Sequence, residues 1–230
     1  MPSKWVPLEA SPDWSKPLGL PPSLTFQDLF SIDPEFLEMI PHPHRAVLLL
    51  FPSRGSLAKA REKEDEENEG WKGEGLWWIK QTIPNACGSI GLLHALLNLP
   101  EGDTTSLTPG SELAQFKAMS LSMSGAERAN LLEEATFFSD AHTAAAQTGQ
   151  SNVPTDLDVD THFIAFVEGA NENGEKRIVE LDGGRKGPLD RGASICFLQD
   201  VANMVQEKYF DRAEGDVSFN LIVLAGQPEN

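Results

Sequence analysis

Cysteine is nearly missing from this chain. Only Cys87 and Cys196 occur among 230 residues, which excludes a disulfide framework and a four-cysteine zinc site. Basic residues are scarce as well: 18 Lys and Arg stand against 35 Asp and Glu, a formal charge of −17. A surface of that sign repels polyanions. It argues against nucleic acid or an anionic membrane as partner and favours encounter with basic proteins. No apolar stretch approaches the ~20 residues of a membrane span. The start, Met1-Pro2-Ser3-Lys4-Trp5, has no apolar signal segment, so a cytoplasmic or nuclear protein is expected. No repeat period emerges and no clean linker divides the chain. What is present is a hydrophobic fraction of 40%, enough for a sizeable core and well above that of a disordered chain.

Leu24 to Ile32 and Arg45 to Phe51 read as strands, the second apolar on both faces and therefore central. Between them Asp33-Pro34 opens a short helix, with Asp33 as cap, that Pro41 stops. Residues 61–70, REKEDEENEG, are a charge run read as a solvated excursion, and Leu76 to Gln81 recovers strand character. A helix from about Asn85 to Leu99 presents Ile90, Leu93, Leu96 and Leu97 on one face. Two more are expected near 111–122 and 124–138, the second behind the capping-box spacing Ser124-Gly125-Ala126-Glu127. Residues 139–155 show neither period, the mark of a functional loop or a linker. Strands near 162–168 and 177–182 follow around a Gly/Asn turn, then a helix near 196–211 and a strand near 217–225. Together these predict one domain of α/β class (α+β in strict usage), with a mainly antiparallel central sheet flanked by helices.

Cys87 sits in the opening turn of its helix, after Asn85, a good capping residue. Unpaired amides and the positive end of the helix dipole stabilise a thiolate there. A buried structural cysteine is the competing reading. Cys196 has no comparable setting. A thiolate nucleophile needs a histidine, and His94, seven residues along the same helix, is roughly 10 Å away at ~1.5 Å per residue. His42, His44 and His142 read as surface positions. His162 stands in Thr161-His162-Phe163-Ile164-Ala165-Phe166-Val167, a strand apolar on both faces where a polar ring needs a reason; a satisfied core histidine is the alternative. A hairpin turn centred in residues 169–174 makes paired numbers sum to about 343. His162 then lies opposite Leu181 or Asp182, near enough for the Asp182 carboxylate to orient the imidazole. An ordinary turn residue before Gly183-Gly184 is the bland reading of Asp182. Gln81, six residues before Cys87, could donate to a developing oxyanion.

Gln81-Thr82-Ile83-Pro84-Asn85-Ala86-Cys87-Gly88, followed by Ser89-Ile90-Gly91-Leu92-Leu93-His94-Ala95, resembles the active-site segment of the ubiquitin C-terminal hydrolases. These are papain-like cysteine peptidases with the chain order Gln, Cys, His, Asp. The likeness continues in Asp160-Thr161-His162-Phe163-Ile164-Ala165 and Glu180-Leu181-Asp182-Gly183-Gly184-Arg185. It also covers Trp5-Val6-Pro7-Leu8-Glu9-Ala10, Asp33-Pro34-Glu35, Ala46 to Pro52, and Phe219 to Leu224, and so spans nearly the whole of 1–230. The short, single-domain members are the ones it is similar to. The resemblance implies Cys87 as nucleophile, His162 as general base and acid, Asp182 as its orienter and Gln81 as oxyanion donor.

The same resemblance implies a knotted backbone and an active-site crossover loop at about 138–158 that favours small or unfolded leaving groups. It further implies ubiquitin contacts at Pro7, Leu8 and Glu9, no cofactor or metal, and a monomer acting on amide, ester or thioester bonds after ubiquitin's C-terminal glycine. The turn of the 162–182 hairpin looks several residues longer than is usual in the family. Two alternatives stay open: a protein that binds and stabilises monomeric ubiquitin without hydrolysis, and a hydrolase acting mainly on a ubiquitin-like modifier such as NEDD8.

Overall fold

The computed structural model describes residues 15–67, 70–135 and 160–228. Pro7, Leu8, Glu9, His142 and the expected crossover loop at 138–158 lie outside the described residues. Six strands form one sheet: β1 (Leu24–Asp28), β2 (His44–Pro52), β3 (Thr161–Ala170), β4 (Lys176–Leu181), β5 (Leu189–Ala193) and β6 (Asn220–Gly226). Their order is β1-β6-β2-β3-β4-β5, and every neighbouring pair is antiparallel.

Each face of the sheet carries its own core, because the strands alternate between two apolar clusters. In β2, Ala46 and Leu48 belong to one cluster, while Val47, Leu49 and Phe51 belong to the other. Fully burying one such leucine or phenylalanine contributes roughly 1.5–3 kcal/mol. The first cluster gathers α1 (Ser15–Leu18), α4 (Cys87–Leu97), α5 (Glu112–Ser120) and α6 (Gly125–Glu134). The second gathers α2 (Pro34–Leu37), α3 (Gly55–Glu67) and α7 (Phe197–Val205), which ends in a π-helical turn over Gln206–Phe210. Every residue of α4 from Gly88 to Leu97 is buried. The single apolar face expected from its sequence is therefore too narrow a reading: the helix is enclosed all round.

Several expectations need correction. The charge run is not a solvated excursion. It continues α3 as far as Glu67, and Arg61, Glu64 and Asp65, which share one face at i, i+3 and i+4 spacing, turn inward to ion pairs. Residues 76–81 are extended but join no ladder. Their amides are taken one by one: Trp77 N–H by Asn98 Oδ1, Ile79 N–H by His94 Nε2, Lys80 N–H by the Gly125 carbonyl and Gln81 N–H by the Gly183 carbonyl. Asn85 does not cap α4. It has φ 61° and turns the chain into the helix, whose cap position is Ala86. Asp33 holds the cap position of α2, yet its side chain makes no cap bond and instead accepts from Ser31 Oγ at 2.8 Å. β5 lies outside the strands expected from sequence, because its five residues LDRGA carry one large apolar side chain, Leu189, and no alternation. His44 is half-buried, its Nε2 3.0 Å from the Ile40 carbonyl, and burial lowers its pKa. The capping box at Ser124 and Glu127 is present.

Candidate active site

β4 ends opposite Ala165, although β3 begins four residues earlier at Thr161. The first residues of β3 therefore have no β4 partner. Into that gap comes the start of α4, with Cys87 at its first position. Backbone N–H groups of Phe163 and Gly88 reach the Cys87 sulfur, and so does the His162 ring. Burial pushes the thiol up, but hydrogen bonding to His162, the imidazolium charge and those two amides outweigh it, and the net direction is downward.

His162 Nε2 stands 2.7 Å from Asp182 Oδ1, which leaves Nδ1 for the thiol. The expected pairing sum of about 343 is wrong by three. Ala165 pairs with Leu181 and Ala170 with Lys176, because the strands run to the edges of a tight turn between Asn171 and Glu175. Continued past the end of β4, this register sets His162 across from Gly184. Asp182 is then the diagonal neighbour on the same face, within reach of a long side chain. Asp182 is 1% exposed, and the His162 side chain is partly buried at 16%. Burial alone would depress the imidazole, yet the bond to Asp182, the bond to Cys87 and the carboxylate charge raise its pKa to about 9. Burial works upward on Asp182, but His162, Arg61 and the Gly184 amide hold it well below the usual carboxylate range. Both directions favour a thiolate beside an imidazolium, the form in which a cysteine attacks carbonyl carbon.

The turn after Asp182 is built for close approach. Gly184 N–H donates to Asp182 Oδ1 at 2.7 Å. A Cβ on Gly184 would stand 3.1 Å from that oxygen and 3.6 Å from His162 Nε2. Trp78 Nε1 donates to the Asp182 carbonyl at 3.1 Å, and Lys80 Nζ to the carbonyls of Gly184 and Arg185 at 2.8 and 2.9 Å. Gln81 is bound to the same turn through its backbone, 2.9 Å from the Gly183 carbonyl. Its side-chain Nε2 donates to the Ile83 carbonyl at 3.3 Å, and its buried Oε1 is unpartnered. The structure thus brings Cys87, His162 and Asp182 into contact and sets Gln81 beside the adjoining turn with its amide directed to the Ile83 carbonyl.

His94 is fully buried and faces Ile79, with burial lowering its pKa to about 4. Cys196 is exposed. Sequence reasoning missed Arg61, whose guanidinium grips Asp182 Oδ2, and Arg185, whose Nε lies 3.7 Å from the same oxygen. Only the spacing of 61, 64 and 65 on one helical face could have hinted at an inward role. Among the described residues, no group of three or more His, Cys, Asp or Glu is placed to hold a metal ion.

Comparison with known proteins agrees with this geometry. A family model described as ubiquitin carboxyl-terminal hydrolase, family 1, matches residues 5–210. Ubiquitin carboxyl-terminal hydrolase 3 of Arabidopsis thaliana is 37% identical over 96% of this chain and 94% of its own. The human isozyme L1 is 35% identical over 95% of this chain and 96% of its own. Among solved structures, the UCH37 catalytic domain of Trichinella spiralis, bound to ubiquitin vinyl methyl ester, superimposes with a TM-score of 0.73. It is 21% identical, with 98% of this chain and 97% of that one covered. The chain therefore belongs to ubiquitin carboxyl-terminal hydrolase family 1 and is a cysteine-type ubiquitin hydrolase.

Proposed function

We propose that the protein cleaves amide, ester and thioester bonds after the C-terminal glycine of ubiquitin, with Cys87 as nucleophile. The observation that carries this reading is the unbroken contact from the Cys87 thiol through the His162 ring to the Asp182 carboxylate. The Cys87 thiolate attacks the glycine carbonyl. The charge that develops on oxygen meets the Cys87 backbone N–H and the Gln81 amide, whose 3.3 Å bond to Ile83 is long enough to yield to a stronger, charged acceptor. His162 gives its proton to the leaving amine, then takes one from the water that hydrolyses the thioester. Asp182 keeps the ring oriented throughout.

Ubiquitin as partner draws support from the solved relative bound to ubiquitin vinyl methyl ester and from the net charge of −17, which steers a basic substrate tail. The aperiodic sequence at about 138–158 supports a preference for small or unfolded leaving groups. One experiment tests the reading: turnover of fluorogenic C-terminal amides of ubiquitin and of NEDD8, beside folded di-ubiquitin. Fast cleavage of the ubiquitin amide, slow cleavage of di-ubiquitin and loss of both in Cys87→Ala are expected, with Cys196→Ala unaffected. Cys87→Ala retaining more than ~3% of wild-type turnover would remove the nucleophile assignment. A faster NEDD8 amide would transfer the reading to that modifier.

A further inference from the structure

We propose that Arg61, on the charged helix α3, is a positioning residue for catalysis: its guanidinium holds Oδ2 of Asp182 so that Oδ1 is presented to His162. The inference rests on the reading of Cys87, His162 and Asp182 as the catalytic set and adds to it a fourth side chain, more than a hundred residues from the Asp182 it grips.

Asp182 uses its two oxygens differently. Oδ1 receives His162 Nε2 and the Gly184 N–H, both at 2.7 Å. Oδ2 receives the Arg61 guanidinium, with Arg185 Nε standing off at 3.7 Å. A carboxylate held at one oxygen can still rotate about its terminal torsion, a broad well; held at both, it cannot. The Asp182 side chain has no exposed surface and Arg61 only 19%, so Arg61 also stands between the carboxylate and water. The guanidinium is itself fixed. It stacks 5.0 Å above the Phe51 ring, and that ring meets His162 edge-on at 5.9 Å. The Arg61 carbonyl accepts from Arg185, while Glu64 and Asp65 one turn on anchor α3 to Arg185 and Arg191. Arg61 thus touches both members of the pair, Asp182 by charge and His162 through Phe51.

The groups facing this pair come from every packed element. Cys87 and His94 approach from α4, Arg61 from α3 and Arg185 from the turn after β4, while Glu64, Asp65, Glu180 and Tyr209 form the next layer out, bound to Arg185, to Arg191 or to one another. Among them Arg61 is the cation that opposes the charge on His162. The bland alternative is an ion pair that only fastens α3 to the domain. The two differ in what the pH profile reads.

The experiment measures kcat, KM, the pH profile of kcat/KM and melting temperature on the full chain with the ubiquitin amide substrate. Arg61→Gln should lower kcat about tenfold with KM nearly unchanged, a modest part of the ~100-fold that a 1 Å misplacement can produce. It should also shift the alkaline limb upward, since the imidazolium loses a repelling neighbour. Arg61→Lys, which keeps the charge but neither the fork nor the stacking, should return the alkaline limb to its wild-type position and recover only part of kcat. Glu64→Gln weakens the same helix without touching Asp182. It should lower the melting temperature as Arg61→Gln does, while leaving kcat and the profile alone. The proposal is overturned if Arg61→Gln keeps wild-type kcat and profile, or if Glu64→Gln reproduces its kinetic changes. Cys87→Ala is run beside them. Activity there overturns the catalytic reading itself, whereas an inactive Cys87→Ala with an unaltered Arg61→Gln overturns the positioning role alone.

Discussion

Asp182→Asn isolates the charge of the buried carboxylate, because asparagine keeps the size and one acceptor oxygen. Holding His162 at about 9 against an ordinary 6.5 corresponds to about 3 kcal/mol, at ~1.4 kcal/mol per unit. Burial opposes that shift, so hydrogen bonding and charge from Asp182 and Cys87 must supply more than the net. With the carboxylate neutralised, burial and the Arg61 cation both act against a protonated ring. His162 should then be neutral at pH 7, and the thiol should keep its proton. Losing ~3 kcal/mol of support lowers the ratio of protonated to neutral His162 on the order of a hundredfold, and the thiolate loses the cation that favours it.

The assay is alkylation of Cys87 by iodoacetamide across the pH range, in a Cys196→Ser background because Cys196 is exposed. The unsubstituted site should react at lower pH than an ordinary thiol does, because His162 and two backbone amides lower the Cys87 thiol, and it should keep that advantage until His162 loses its proton near 9. In Asp182→Asn, reactivity should rise only as the thiol itself titrates. Stability should follow with a defined sign. The raised His162 contributes stability that is complete below 6.5 and is lost as pH climbs toward 9. The depressed Asp182 contributes stability present above its unfolded value of 3.8 and lost as pH falls below it. The wild type should thus exceed Asp182→Asn in melting temperature most clearly between those limits. Superimposable alkylation profiles for the two proteins would refute the ion-pair assignment.

Gly184→Ala should lower kcat several-fold with little loss of melting temperature, since its Cβ would press on Asp182 Oδ1 and approach His162 Nε2; unchanged kinetics would show that the turn gives way freely. Glu180→Gln should destabilise the fold by about 3 kcal/mol, because the buried Glu180 carboxylate is shared by Arg185 Nε, Arg191 Nε and the Tyr209 hydroxyl at 2.7 to 3.0 Å. Chemical denaturation checks it, and a loss under ~1 kcal/mol would mean Glu64 and Asp65 suffice as counter-charges.

What was legible in the sequence follows from how far each signal reaches along the chain. β2, β3 and α4 announce themselves by dense apolar runs, and the capping box at Ser124 by four adjacent residues. Cys87 and His162 were found from local settings, a helix start and an apolar strand. The contact between His162 and Asp182 was found by a register argument that was off by three, yet Asp182 shares a face with His162 in the true register. The segment 76–81 looked like a strand because extended backbone wants donors and acceptors, but its partners are Asn98, His94, Gly125 and Gly183, scattered over three elements. The charge run carries only one local hint of an inward face, the spacing of 61, 64 and 65. Glu64 and Asp65 are inward only because Arg185 and Arg191 arrive from more than a hundred residues away, and composition carries no sign of that.

These long-range pairs matter because of where the site lies. Alternation along β3 sends Phe163 and Ala165 to the core beneath α4 and Ile164 and Phe166 to the core beneath α7. His162 therefore belongs to the second face, with Phe51 against it, whereas Cys87 stands on a helix of the first. Neither core alone fixes the distance between thiol and imidazole. They meet at the end of the sheet, where β4 stops short, and the residues that bridge the seam are polar: Gln81 to Gly183, Trp78 to the Asp182 carbonyl, Lys80 to Gly184, Arg61 to the Asp182 carboxylate. Hydrophobic burial is non-directional and tolerates small slides of one layer on another. Hydrogen bonds and ion pairs with defined geometry do not. A thiol and an imidazole drawn from opposite faces of a sheet thus require a polar clasp at its end, and α3, with a single buried apolar residue in Leu57, is held to the domain largely by the ion pairs of that clasp.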